Sequence, residues 1–320
     1  VSGARRGPDG RFLNPDGSSG GKRLHEVLRL MVGGDGVRWP RRVLDAPQPP
    51  PAAPPAGHVA ITAIGHASFC IAFAGGPVLL TDPVWSDRAS PFTFIGPRRA
   101  RPPGQNLDAL PRPDAVLLSH NHYDHLDLAT LRRLAARGAP QVLSGLGNGP
   151  LVRRSGLADV TELDWWQTHV MPGGHRITYV PMRHGSARGL RDRCRALWGG
   201  FAVETAAGAR LFFCGDTAWG PHLEEIGARL GPFDVALIPI GAYEPRWFMN
   251  SVHMAPDEAV QAHRALRSRT SIAMHFGVFK LTRESIGEPV ERLLAQRGDA
   301  DFRVPAFGET ITVPAGSAAP

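Results

Sequence analysis

The sequence predicts an α/β protein with a two-layered sheet core and helices outside it. Three observations lead there. Short apolar runs crowd the region after His58, and strand-like and helix-like runs then alternate to the end. Histidines and aspartates stand directly after several of these runs, where open α/β sheets hold their chemistry. No internal repeat of fixed short period competes with this reading.

Residues 1–57 read as a flexible extension. Positions 1 to about 21 are rich in Gly, Ser, Pro and charge. Lys22 to Val32 reads as an amphipathic helix, with Leu24, Val27, Leu28 and Met31 at helical spacing and Gly33-Gly34 as its stop. Packing on the main domain is its plainest role. Lys22, Arg23 and Arg29 beside the apolar stripe make a membrane-surface or homodimer contact the sharper alternative. Pro47 to Pro55 holds six prolines in nine residues and reads as an extended connector.

The folded domain is expected over 58–320. Val59 to Ile64, Ser68 to Phe73 and Val78 to Thr81 read as strands, the last closing on Asp82-Pro83. Asp82 is either a turn residue or a carboxylate that orients a metal-binding His. Trp85 to Gly104 is a long loop carrying Arg88, Arg98, Arg99 and Arg101 beside Phe92 and Phe94, suited to line the entrance for an anionic, partly apolar molecule. Asp114 to Leu118 reads as a buried strand and Leu126 to Ala136 as a helix ended by Gly138. Gln141 to Leu146 and Val160 to Leu163 read as edge or connecting strands. Strands follow at Arg176 to Val180, Trp198 to Glu204, Arg210 to Cys214, Asp234 to Ile240 and Ser271 to Met274. Helices are expected at Pro221 to Leu230, Ala255 to Ser268 and Glu288 to Gln296.

Composition narrows the class. The chain has 320 residues, 42% hydrophobic and 20% charged, enough for a sizeable core. It has no run of about 18 apolar residues, so no transmembrane helix is expected, and no signal segment is visible after Val1. The compartment stays open between cytoplasm and a peripheral membrane site. The net charge is +7, and only Lys22 and Lys280 are lysines. A basic surface favours anionic partners such as lipid headgroups. The absence of a basic run interleaved with aromatics argues against a nucleic-acid module. Cys70, Cys194 and Cys214 show no C-x-x-C spacing and read as buried thiols.

The chemistry centres on Ser119-His120-Asn121-His122-Tyr123-Asp124-His125-Leu126-Asp127. Imidazoles at i and i+2 can converge on one cation, while the following carboxylate and imidazole serve a second. Such nitrogen and oxygen ligands suit Zn²⁺, with Fe or Mn as alternatives. His184, Asp216 and His275 also stand at strand ends. If those ends share one rim, five His and two Asp suffice for two metals with a bridging carboxylate.

H-x-H-x-D-H followed at long spacings by a His, a Gly-Asp-Thr and a further His resembles the metallo-β-lactamase-fold hydrolases. That resemblance implies a four-layered αββα sandwich. Thr81 to Pro91, Leu197 to Phe201, His275 to Leu281 and above all Ile240-Gly241-Ala242-Tyr243-Glu244-Pro245-Arg246-Trp247-Phe248-Met249 are similar to the N-acylphosphatidylethanolamine-hydrolysing phospholipase D branch. The resemblance implies one zinc at His120, His122 and His184, another at Asp124, His125 and His275, and Asp216 across both. It implies substrate contacts at Tyr123 and His253. The expected activity is hydrolysis of a phospholipid phosphodiester by a metal-bridging hydroxide that Asp124 or Asp216 orients. A lactone, a β-lactam or a smaller phosphodiester is the alternative substrate. A non-catalytic metal-binding protein is the remote one. Gly185 after His184 and Phe276 after His275 depart from the aromatic and the Trp usual in the branch.

Overall fold

A computed structural model describes residues 3–20, 29, 36–189 and 191–316. Of the expected helix Lys22 to Val32, all but Arg29 lies outside the described residues.

Two seven-stranded sheets face each other. The first runs β14-β1-β2-β3-β4-β5-β6 and the second β13-β12-β11-β10-β9-β8-β7. The first sheet is built from β1 (His58–Gly65), β2 (Ser68–Phe73), β3 (Val78–Thr81), β4 (Ala115–Leu118), β5 (Gln141–Gly145), β6 (Val160–Leu163) and β14 (Thr310–Pro314). The second is built from β7 (Thr168–Val170), β8 (Arg176–Pro181), β9 (Gly199–Glu204), β10 (Arg210–Phe213), β11 (Phe233–Pro239), β12 (Ser268–Met274) and β13 (Phe302–Arg303). Among the described residues six α-helices with defined bounds accompany them: α1 (Leu128–Ala136), α2 (Gly149–Arg153), α3 (Pro221–Leu230), α4 (Arg246–Met249), α5 (Pro256–Ala265) and α6 (Glu288–Gln296).

The period of two along each strand creates the layers. Leu79 and Leu117 point between the sheets and join Ile71, Tyr179, Phe201 and Phe213 in the main core. Their neighbours Leu80, Val116 and Leu118 point the other way, onto Leu131 and Leu134 of α1. Helix α5 covers β11 and β12 from the opposite side. The result is the αββα sandwich that the sequence implies.

Strand direction decides where the site sits. β9 is antiparallel to both β8 and β10, while β11 and β12 run parallel to β10. Hence β8, β10 and β12 end on one rim of the second sheet. β3, β4 and β5 are mutually parallel in the first.

Several expectations change. Of the two strands expected as edge or connecting strands, β5 lies inside between β4 and β6, and β6 is at the edge. Gln141 makes β5 look exposed, but its ring of buried neighbours begins at Val142. Helix α5 stops at Ala265, because Arg267 takes φ +55°, and β12 already starts at Ser268. Polar Ser268, Arg269 and Thr270 mask that strand's beginning in the sequence. β7, β13, β14, α2 and α4 are short and were not anticipated.

The start of the chain is the largest departure from expectation. Its polar composition reads as mobile, yet residues 3–20 pack on the domain. Phe12 is 1% exposed within the main core, and its N–H donates to Cys194 O at 2.8 Å. Arg11 Nη1 donates to Arg193 O at 2.6 Å, and Ala4 N–H to Asp164 Oδ1 at 2.8 Å. One buried aromatic and a ladder of backbone bonds offset the ordering entropy that the composition alone would leave unmet.

Phe12→Ala should therefore cost about 3–5 kcal/mol of unfolding free energy in urea. Phe94→Ala, at a position 75% exposed, should change it by less than about 0.5 kcal/mol. Equal effects would mean that residues 3–20 are not part of the core.

Candidate metal centre

The loop after β4 carries His120, His122, Asp124 and His125 as one tight turn, in which the amides of His125 and Leu126 both donate to His122 O. Asp127 then caps α1 by accepting from Ala129 N–H at 3.0 Å. His184 follows β8, Asp216 follows β10 and His275 follows β12, so the shared rim brings all seven residues together.

Three imidazole nitrogens converge on one point. His122 Nδ1 lies 2.9 Å from His120 Nε2 and 3.2 Å from His184 Nε2. A second set adjoins it: Asp124, His125 and His275, joined by His66. Asp216 Oδ2 stands between the sets. It is 3.1 Å from both His125 Nε2 and His275 Nε2, 3.7 Å from His184 Nε2 and 3.9 Å from His120 Nε2.

The second ring nitrogens of His125, His120 and His184 are already engaged. His125 Nδ1 donates to Asp82 Oδ2 at 2.6 Å. Asp82 also accepts from the amide and hydroxyl of Ser119. The Ser119 hydroxyl in turn accepts from His120 Nδ1 at 2.9 Å. His184 Nδ1 donates to Val252 O at 2.9 Å. Each of these bonds fixes a tautomer whose Nε2 lone pair faces the cluster. Asp82 is thus the orienting carboxylate of the two roles open to it.

A divalent cation fits this set. His125 Nε2, His275 Nε2 and Asp216 Oδ1 are buried without an aligned hydrogen bond, which few buried polar atoms tolerate. The donors are nitrogen and carboxylate oxygen, the chemistry that Zn²⁺ and its neighbours accept. His120, His122 and His184 could hold one ion, and Asp124, His125 and His275 another, with Asp216 in reach of both.

Electrostatics point the same way. Burial opposes charge on His275, but Asp216 and Asp124 outweigh it and raise its pKa to about 9. Burial likewise opposes charge on His125, and the same two carboxylates lift it well above the usual range. The partner charges in turn hold Asp124 and Asp216 far below theirs, despite burial. His122 is pushed down to about 3 by burial and by His184, so it offers a free lone pair at neutral pH.

Backbone strain marks the rim. His66, Asp82 and His275 take φ values of +53°, +29° and +60°, a region that side chains with a Cβ rarely adopt. Gly215 takes φ +63°, and a Cβ there would lie 2.7 Å from Ser119 Cβ. Only glycine lets the Asp216 loop approach the His120 loop so closely.

Of the expected substrate contacts, His253 Nε2 lies 4.0 Å from Asp216 Oδ2, beside His184. Tyr123 is half-buried, its hydroxyl donating to Arg188 O at 3.0 Å. Sequence reasoning missed two residues. His66 Nε2 lies 3.0 Å from Asp124 Oδ2; its place at the end of β1 was the available signal. Asn14 Oδ1 accepts from His184 N–H at 3.0 Å, and nothing in its local sequence announces that. A cavity of about 830 Å³ borders the metal loop, lined by Arg88, Phe92, Asn121, Tyr123, Leu126 and Arg188 among others. The long loop therefore does line a cleft, although Arg99 is buried and donates to Val84 O at 2.7 Å.

Metal binding must displace the protons that His125 and His275 hold. Below about pH 9, the value for His275, zinc affinity should rise with pH. Competition against a chromophoric chelator from pH 6 to 9 reads this directly, and a flat profile would contradict the assigned ligands. Asp82→Asn should weaken zinc binding about 10- to 100-fold at pH 7. Unchanged affinity would remove Asp82 from its orienting role.

Comparison with known proteins agrees with this geometry. Residues 78–276 match the family described as Beta-lactamase superfamily domain. The chain is 43% identical over 244 residues to N-acyl-phosphatidylethanolamine-hydrolyzing phospholipase D 1 of Caenorhabditis elegans, covering 72% of this chain and 68% of that one. It is 40% identical over 302 residues to an uncharacterized protein of Mycobacterium tuberculosis, covering 90% and 78%. Igni18, a metallo hydrolase of Ignicoccus hospitalis, shares the fold with a TM-score of 0.60 at 23% identity, covering 80% of this chain and 98% of that one. This chain belongs to the metal-dependent hydrolases of the β-lactamase superfamily, in the branch of the N-acylphosphatidylethanolamine-hydrolysing phospholipases D.

Proposed function

We propose that the protein is a zinc-dependent phosphodiesterase of the phospholipase D type. Its substrate would be an N-acylphosphatidylethanolamine-like lipid, and its products phosphatidic acid and an N-acylethanolamine. The observation that carries this reading is the 43% identity to a phospholipase of that name, in a chain that keeps all seven expected ligand residues on one rim.

Two zinc ions in these sets would supply Lewis acidity toward a phosphoryl oxygen and acidify water near neutral pH. The chain's own residues do the rest. Asp124 and Asp216 stay ionised across the neutral range because cationic imidazoles surround them. Either can orient a water by accepting its proton in a hydrogen bond. Burial keeps His253 neutral, and its Nδ1 has no protein partner. It is the better placed of the two expected phosphate contacts. Tyr123 already donates its hydroxyl to Arg188 O, so its oxygen offers a phosphate only an acceptor.

The surface suits an amphiphile. Phe92, Phe94 and Ile95 are 54%, 75% and 58% exposed at the tip of the loop that borders the cavity. Arg132 and Arg154 line the same cavity. An aromatic tip beside cations is the composition that meets a headgroup layer. Among the described residues no helix is long and apolar enough to cross a membrane.

Purified protein should release phosphatidic acid from N-acylphosphatidylethanolamine micelles. Chelation should abolish release and added zinc restore it. No release from protein that carries two metals would overturn the lipid assignment, and lactones and small phosphodiesters would then be assayed. On anionic vesicles, Phe92→Ser with Phe94→Ser should cut co-sedimentation several-fold while leaving zinc content unchanged. Equal sedimentation would remove the loop tip from the membrane contact.

A further inference from the structure

We infer that Arg188 is a positioning residue that holds the metal loop in its ligating shape. This rests on the metal-dependent reading of the centre and not on the lipid substrate.

The loop from His120 to Leu126 is short of internal support. Its turn is closed only by the two amides that share His122 O. The carbonyls that flank the turn, Asn121 O and Leu126 O, are satisfied from outside. Arg188 Nη1 donates to Asn121 O at 2.9 Å and to Leu126 O at 2.7 Å. One guanidinium nitrogen therefore pins both ends of the segment that presents His122, Asp124 and His125. Two charge-assisted bonds from a single planar group fix the separation of those carbonyls.

The guanidinium is itself held. Its carbon lies 3.8 Å from the centroid of the Tyr123 ring, within cation–π range. The Tyr123 hydroxyl donates back to Arg188 O at 3.0 Å. Asp192 accepts from the amides of Arg188 and Gly189 at 2.8–3.2 Å, which folds the turn that aims the side chain. Tyr123 thus contributes as the post on which the clamp rests.

Arg188 also lies four residues after His184, the third ligand of the first set. It consequently ties the loop after β8 to the loop after β4, one from each sheet. The two halves of the first set, His120 and His122 on one loop and His184 on the other, are held in register through this side chain.

The test uses the full chain and measures metal rather than turnover. Arg188→Met keeps an apolar stem over Tyr123 and removes both donors. It should weaken zinc binding about 10- to 100-fold in chelator competition, the loss seen when an outer-shell partner is removed. It should also alter the visible spectrum of the Co²⁺-loaded protein, which reports ligand geometry. Arg188→Lys keeps a cationic donor without the planar guanidinium, so it should recover part of the affinity while its Co²⁺ spectrum still differs from the native one. If Arg188→Met lacks the native circular dichroism, the Arg188→Lys spectrum decides alone. Native zinc affinity and a native Co²⁺ spectrum in a folded Arg188→Met, or in the Lys variant when that one decides, would overturn the assignment.

Discussion

Two buried carboxylates set the terms for this protein. Asp124 and Asp216 lie out of water at the meeting point of two sheets. Burying a carboxylate costs several kcal/mol unless a cation and hydrogen bonds offset it. The protein answers with seven imidazoles around them. An imidazole can give up its proton and keep its place, whereas a lysine or an arginine would remain a competing charge at neutral pH. The same side chains can hold protons on His125 and His275 or exchange them for divalent cations.

That choice makes aim the remaining problem, and the surrounding bonds solve it one nitrogen at a time. Asp82 serves His125 directly and reaches His120 through the Ser119 hydroxyl. Val252 O serves His184 from the loop after α4. The left-handed backbone at His66, Asp82 and His275 lets each strand turn sharply at the rim instead of running past it. The His275 amide donates to His66 O at 2.8 Å, so two of these turns, one from each sheet, brace each other. Strain of this kind persists only where the surroundings over-determine it.

Much of this was legible because its signals are local. Short apolar runs mark the strands that lead to the candidate ligands, and the candidate stands at or just after the strand end at Ser119-His120 and Met274-His275. Asp82 could be suspected for the same reason. What was not legible depends on contacts far apart in the chain. Asn14 reaches the His184 amide across 170 positions. Phe12 looks like a lone aromatic in a polar tail, and only the β8–β9 region gives it a core to enter. β14 is five residues long and takes its identity from pairing with β1. Within the 85–104 loop the apolar Phe92, Phe94 and Ile95 are exposed and Arg99 is buried, the reverse of what their residue types suggest, so sequence could not place them.

The ends of the chain and the long loop then explain why a shared centre need not imply a shared substrate. The family match spans 78–276 and so contains every expected ligand, together with Asp82 and Ser119 that orient two of them. His66 and Asn14 lie before it, yet both touch candidate ligand residues. A match covering 90% of the chain to the mycobacterial relative must extend into the segment before His58. The packing of residues 3–20 beside His184 is therefore carried by a stretch that the superfamily core does not include. Chemistry at phosphorus or carbon asks only for the core. Discrimination between substrates asks for walls: the 85–104 loop lines the cavity beside the motif, and the 3–20 segment meets the candidate ligand His184 through Asn14.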